Sequence, residues 1–246
     1  MTTNVMDNVL LYNGMIGYDE NDDLSYEVKK IDIKEMISFK GSNIKVGISE
    51  RYDRDSLVMN ALKDLKEIGV ESVSFKSTSY SLPYFRNILT SDMKRDLPQY
   101  ILAYGNKNLS AKNVKDIVNY NNRDKFLHAP YDQIIFNEIV HDSISNTKLN
   151  EMKEQTKSRA NNYLNSIMKE NDFDVFVSVD NDMAAIAAAA HYPALTIPMG
   201  YRYNGQPTNI TFITNSNNEQ LLYNLGFHYE KVSMNREVPD IYKKIP

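Results

Sequence analysis

Between residues 44 and 75 the hydrophobic pattern changes its period twice, and few folds can absorb that. Ile44, Val46 and Ile48 repeat every second residue, as a strand does. Leu57, Ala61, Leu65 and Ile68 then line one face of a helix that stops at Gly69, and Val73 and Phe75 resume a strand. Strand, helix and strand joined so tightly make a βαβ unit, whose strands run parallel with a right-handed crossover. Parallel strands have to be covered on both faces, which points to an α/β fold. With 246 residues and 42% apolar side chains the chain has the material for such a core.

The rest of the pattern extends this reading. Val5, Val9, Tyr12 and Ile16 stand at helical spacing, with Thr2 or Thr3 as N-cap and Gly17 as a stop, and the acidic run from Asp19 to Asp23 reads as a solvated loop. A helical middle segment is predicted over about residues 86–170. Leu89, Met93, Leu97 and Ile101 recur every four residues there, Ser110 is placed to cap a helix through Val118, and a longer helix runs from about Leu149 to Met168. From Phe173 the pattern becomes a strand at Val175–Val177, an alanine-rich helix, a strand at Leu195–Ile197, an Asn204–Gly205 turn, a strand at Ile210–Ile213 and a last helix through Tyr229. Asn-Gly favours a hairpin, so an antiparallel pair joins the parallel one and the sheet is expected to be mixed, with helices on both faces. Without a repeat or a Pro/Ser-rich linker, residues 1–246 read as one domain carrying a helical insertion.

Several functions are disfavoured. The formal charge is −4 with acids and bases interspersed, which leaves no nucleic-acid footprint. The absence of cysteine excludes disulfides, thiol nucleophiles and thiolate metal sites. His128, His141, His191 and His228 stand far apart and show no metal-ligand spacing, so neither a metal nor a cofactor is expected. The longest apolar run, Met183–Ala190, falls short of the ~20 residues of a membrane helix. The first seventeen residues lack the basic start of a secretory signal, so a cytoplasmic protein without membrane contact is expected.

The segment Phe173–Val177, then Ala187–Ala190, then Tyr192-Pro193-Ala194-Leu195-Thr196-Ile197-Pro198-Met199-Gly200 resembles the C-terminal pattern of the amidase signature family. That pattern is an aspartate entering a buried strand, a small-residue helix, a Gly-Tyr-Pro turn, an apolar strand and Pro-x-Gly. Gly205-Gln206-Pro207, Phe212, Leu221-Leu222, Tyr229-Glu230 and Pro239 continue it in order. Thr3, Asp7, Leu10-Leu11, Gly17-Tyr18-Asp19 and Asp22 are similar to the family's segment just after its catalytic serines. Lys94, Asp96-Leu97, Tyr100, Ile117, Asn121 and Gln133 are similar to the helical middle of its peptide-amidase-like branch. Each piece is weak; the collinear set is specific.

The resemblance implies an incomplete amidase-signature fold related to enzymes that hydrolyse carboxamides to carboxylate and ammonia. The family's nucleophilic serine, its second serine and its lysine, with the Gly/Ser-rich oxyanion loop, correspond to positions before Met1, which itself matches a methionine just beyond the serines. No catalytic residue is therefore assigned, and the chain alone is expected to be inactive, as a remnant or one half of a split enzyme; a small-amide binding module is the alternative. Gln133 and Asn181 fall near positions that line the family's substrate cleft, and a carboxamide side chain both donates and accepts; loop capping is their other reading. His191 stands where the family has glycine, and either retunes the pocket or replaces a tolerated loop-tip residue. Asn209 also replaces a glycine, and asparagine tolerates positive φ. The pair Asp180 and Asp182 follows a strand, where a polar loop is the default reading and acid–base chemistry the lesser one. The implied partners are a separate N-terminal amidase half or a second copy, with the opening helix and the strand at Ile44 facing the gap, and a small amide ligand.

Overall fold

A computed structural model describes residues 1–22 and 25–239, so Asp23 of the expected acidic loop lies outside the described residues. The chain forms two compact units, one built from residues up to Tyr80 and from Ala160 onward, the other from Ser81–Arg159. In order the elements are α1 (Val5–Met15), α2 (Ile33–Ser38), β1 (Lys45–Ser49), α3 (Ser56–Glu67), β2 (Glu71–Phe75), α4 (Phe85–Tyr104), α5 (Val114–Asn121), α6 (Lys125–His128), α7 (Ile134–His141), α8 (Asn146–Glu170), β3 (Val175–Val179), α9 (Ala184–Ala190), β4 (Ala194–Tyr201), β5 (Pro207–Ile213) and α10 (Glu219–Ser233).

The first unit holds a five-stranded mixed sheet in the order β2-β1-β3-β5-β4. β1 and β2 run parallel from Lys45↔Glu71 to Ser49↔Phe75, with α3 as the crossover. Asp55 caps α3 by accepting from the Leu57 N–H at 3.0 Å, and Gly69 (φ 87°) ends the connection in a backbone conformation that suits glycine. β3 pairs parallel with the other side of β1, and all five of its residues are buried, as an unbroken apolar run demands. β5 is antiparallel to both β3 and β4. The Asn204–Gly205 turn joins β4 to β5 as expected, with Gly205 at φ 81° donating to the Arg202 carbonyl at 2.8 Å.

One face of the sheet, through Val46, Ile48, Val177, Ile197 and Phe212, packs on α1, α3 and α10. Gly226 of α10 allows a close approach, because a Cβ there would meet Leu195 Cδ2 at 2.5 Å and Ile197 Cδ1 at 2.8 Å. On the opposite face Phe173 lies against Gly47, whose missing side chain makes the room, and joins Phe75 and Phe176 in an aromatic cluster.

Three sequence-based expectations are corrected here. Asn4, not Thr2 or Thr3, caps α1 by accepting from the Asp7 N–H at 2.8 Å. The strand at Ile44 does not face a gap, since β1 is bonded on both sides. α1 is only half open: Val5 and Val9 are buried and Tyr223 Oη donates to Asn8 Oδ1 at 2.7 Å, while Leu10, Leu11 and Met15 are 55%, 46% and 74% exposed.

The second unit is helical around a small core of Val114, Val118 and Ile139, with Leu97, Phe136 and Val140 against it. Asn113 rather than Ser110 caps α5, accepting from the Asp116 N–H at 3.1 Å. Lys94 Nζ donates to the carbonyls of Val140 and Asp142 at 3.0 and 2.6 Å, satisfying the C-terminal end of α7 with a cation. Leu89 and Met93 of the four-residue repeat are exposed, and Thr90 and Ser91 are the buried residues of α4.

Candidate functional site

The sheet order creates a topological switch. From β1 the chain crosses by α3 to β2 on one side, and from β3 it crosses by α9 to β4 on the other, passing β5. In α/β sheets a crevice opens outside the carboxyl ends of the two strands where the direction reverses, here Ser49 of β1 and Val179 of β3. The 3-10 turn Glu50–Tyr52 and the turn Asp180–Asp182 form its two lips.

The lips are tied together. Arg51 makes an ion pair with Asp182, Tyr52 Oη donates to Asp182 Oδ2 at 2.9 Å, and the Arg51 guanidinium lies 4.8 Å from the Tyr52 ring centroid. Burial raises the Tyr52 phenol above its ordinary value, and Arg51 partly offsets that, so Tyr52 serves as a donor. Asp180 takes φ 52°, a conformation aspartate tolerates. Its Oδ1 accepts from the Asn209 N–H at 2.8 Å and its carbonyl from Thr211 Oγ1 at 2.8 Å. Below the crevice Arg202 grips Asp55 through two bonds of 2.8 and 2.7 Å, which holds the Asp55 carboxyl below the usual carboxylate range. Ser49 is buried, and its Oγ bonds Ser77 Oγ at 2.9 Å, which gives it no base.

Asn181 is exposed on the β3 lip, and its carbonyl accepts from the Ala184 N–H at 3.0 Å. Gln133 lies in the helical unit at the start of α7, where its Oε1 accepts from Asn121 Nδ2 at 3.1 Å and its Nε2 donates to Asn122 Oδ1 at 2.9 Å. His191 is the exposed C-cap of α9 in the left-handed region (φ 58°, ψ 39°), and its carbonyl accepts from Ser216 Oγ at 2.7 Å. That conformation is the physical reason a glycine suits the position. Asn209 does not take it: it sits in extended β5, and the left-handed residue beside it is Asp180. The other histidines are held by carbonyls or rings; His228 Nε2 lies 2.9 Å from the Met36 carbonyl, far away in the sequence, and the His128 ring stacks on Tyr120 at 4.4 Å. Among the described residues no three acidic or histidine side chains gather to hold a metal. No described helix is long and apolar enough to cross a membrane.

Arg51 and Tyr52 were missed in the sequence. Their only signal was position, directly after an alternating strand, and it acquires meaning only once the strand order is known. Asp180 and Asp182 act as the polar loop reading has it, one holding backbone and the other holding Arg51 and Tyr52.

No protein-family model matches the chain. Among curated proteins it is 22% identical over 274 aligned residues to a glutamyl-tRNA(Gln) amidotransferase subunit of Staphylococcus aureus, covering 100% of this chain and 56% of that protein. Among solved structures it matches an amidase family protein from Bacillus anthracis with a TM-score of 0.87 and 26% identity, over 98% of this chain and 49% of that one. It matches the peptide amidase from Stenotrophomonas maltophilia with a TM-score of 0.85 and 17% identity, over 98% and 54%. The chain spans about half the length of the curated relatives it matches. Fold and whole-chain similarity agree that this protein is related to the amidase signature family, with a mixed α/β sheet matching about half of its relatives' structure.

Proposed function

We propose that this chain is the C-terminal half of an amidase-family enzyme, a single truncated domain that is inactive alone and shapes one wall of a carboxamide site. The observation that carries this is a match running through essentially the whole chain yet over about half of each relative. The crevice chemistry agrees with it. Arg51 and Asn181 offer donors and an acceptor for an amide, Asp182 and Tyr52 fix the Arg51 head, and Ser49 is spent on Ser77. In this reading Asn181 meets the substrate amide, Gln133 holds the loop before α7, and His191 shapes the loop beyond α9. Nucleophile, base and oxyanion donors come from the missing half.

Ammonia release from a panel of aliphatic and aromatic amides tests the reading. The purified chain should release none, and coexpression with the uncovered half of the Bacillus anthracis relative should give turnover. Turnover by the chain alone that disappears when one of its own serines is replaced would refute the proposal.

A second reading, a small-amide binding module, is favoured by one feature: the lips of the crevice are tied by bonds within this chain alone. Calorimetric titration with propionamide separates the two, since a module binds without a partner and a half-site does not. The proposal sets the protein in the cytoplasm; recovery of a tagged chain with membranes or in the medium would count against that.

A further inference from the structure

The sheet has two edges of opposite character. β2 is five residues long and exposes Glu71, Ser72 and Ser74. β4 has eight residues, none of them charged, and bonds only to β5 among the described strands. Its first four residues, 194–197, are an uncharged row of backbone groups and a template for another strand, which Pro198 and the bulge before Gly200 then interrupt. Beside it runs a groove of about 860 Å³ whose walls include Val5 and Tyr12 of α1, Leu195 and Ile197 of β4, and Tyr223 of α10. Burial raises the phenols of both Tyr12 and Tyr223, the latter to about 12. α1 lines this groove through Val5, Asn8 and Tyr12 and exposes Leu10, Leu11 and Met15.

We propose that the outer edge of β4, with the groove between it and α1, is the docking surface for a separate polypeptide that supplies the rest of the amidase-signature fold and adds an extended strand to β4. This rests on the split-half reading above. The relatives carry about as much chain again as the part matched here, and an uncovered strand edge offers such a segment its backbone groups. Strand addition satisfies the free backbone groups, and side chains of alternate residues of the incoming strand fill the groove. The groove wall carries Glu219, Glu230 and Glu237 against the cation Arg236, with Glu230 also accepting from the Val5 N–H at 2.9 Å, so a lysine or arginine near Glu219 suits the incoming segment. A second copy of this chain would bring the same acidic wall.

The full chain is coexpressed with the portion of the Bacillus anthracis amidase-family protein that it does not cover, and that portion with its own natural remainder is the positive control. The pair should copurify. Backbone amides of residues 194–197 should exchange with deuterium about tenfold or more slowly in the complex, with those of β2 unchanged. Ala194→Lys puts a charge on the exposed edge and should abolish copurification, whereas Ser72→Lys on β2 should leave it intact. If the pair forms without protection of β4, or Ala194→Lys still assembles, the surface is wrong and the split-half reading stands. If the control pair assembles and this chain does not, both fail. If the chain alone dimerises with β4 protected, the occupant is a second copy and the proposal is overturned.

Discussion

β2 and β4 close the same sheet from its two sides, and their outer edges differ. β2 pairs residue for residue with β1, is short, and turns Glu71, Ser72 and Ser74 to solvent. β4 is longer and uncharged, with a bulge between Pro198 and Gly200, and its flank is a partly apolar groove. The proline and the bulge blunt the far end of this edge, and residues 194–197 keep it uncharged. The difference teaches where the sheet is fully bonded, around β1 and β3, and where it keeps an uncharged outer edge, at β4.

The largest expected contrast lies within the sheet. In the isolated chain, amides of β3 should exchange at least about a hundredfold more slowly than those of β4, since β3 is bonded and buried on both sides. Equal protection would erase the distinction between the strands. Next, Gly226→Leu should cost about 2–3 kcal/mol, because the new side chain meets Leu195 and Ile197 and lifts α10 off β4; chemical denaturation reads the loss, and a neutral result would mean that β4 is not held by this contact. Asp55→Ala should cost about 1–2 kcal/mol, from the lost N-cap and the lost grip on Arg202 at the β4–β5 hairpin.

That last change also carries a pH signature. Arg202 depresses the Asp55 carboxyl, so the ion pair contributes fully above the unfolded carboxylate pKa and is lost as pH falls through the folded value. The variant should show a flatter acid limb than the wild type, and an identical limb would place the acid sensitivity elsewhere. The smallest effect is a gain. His191→Gly should stabilise by roughly 0.5–1 kcal/mol, because glycine reaches the left-handed C-cap of α9 without the Cβ penalty. A loss instead would show that the imidazole contributes more than the strain it bears.

Periodicity made most of the first unit legible. The β1–α3–β2 crossover, the buried β3, the Asn-Gly hairpin and α10 all announce themselves through local rules that the tertiary structure leaves unopposed. Caps were harder, because several side chains near a helix start are able to accept and only geometry chooses among them, as with Asn4 over Thr3 and Asn113 over Ser110. The α4 repeat announced the helix but not which of its members are covered: Leu97 packs on the small core while Leu89 and Met93 are exposed, and the packing of Ser91 on Asp142 and of Lys94 on α7 sets the buried side. The crevice was legible in part. Asn181 and the two aspartates stand after a strand in the sequence, whereas Arg51 and Tyr52 join them through the strand order, which no local pattern encodes.

The central claim is that this chain carries no activated serine of its own. Incubation with a fluorophosphonate, followed by intact-mass measurement and peptide mapping, tests it most directly, since such electrophiles modify serines that a base activates. No mass gain is expected on the isolated chain and, in the coexpressed pair, the label should be confined to the partner. A stoichiometric label on any serine of residues 1–246 would contradict that claim.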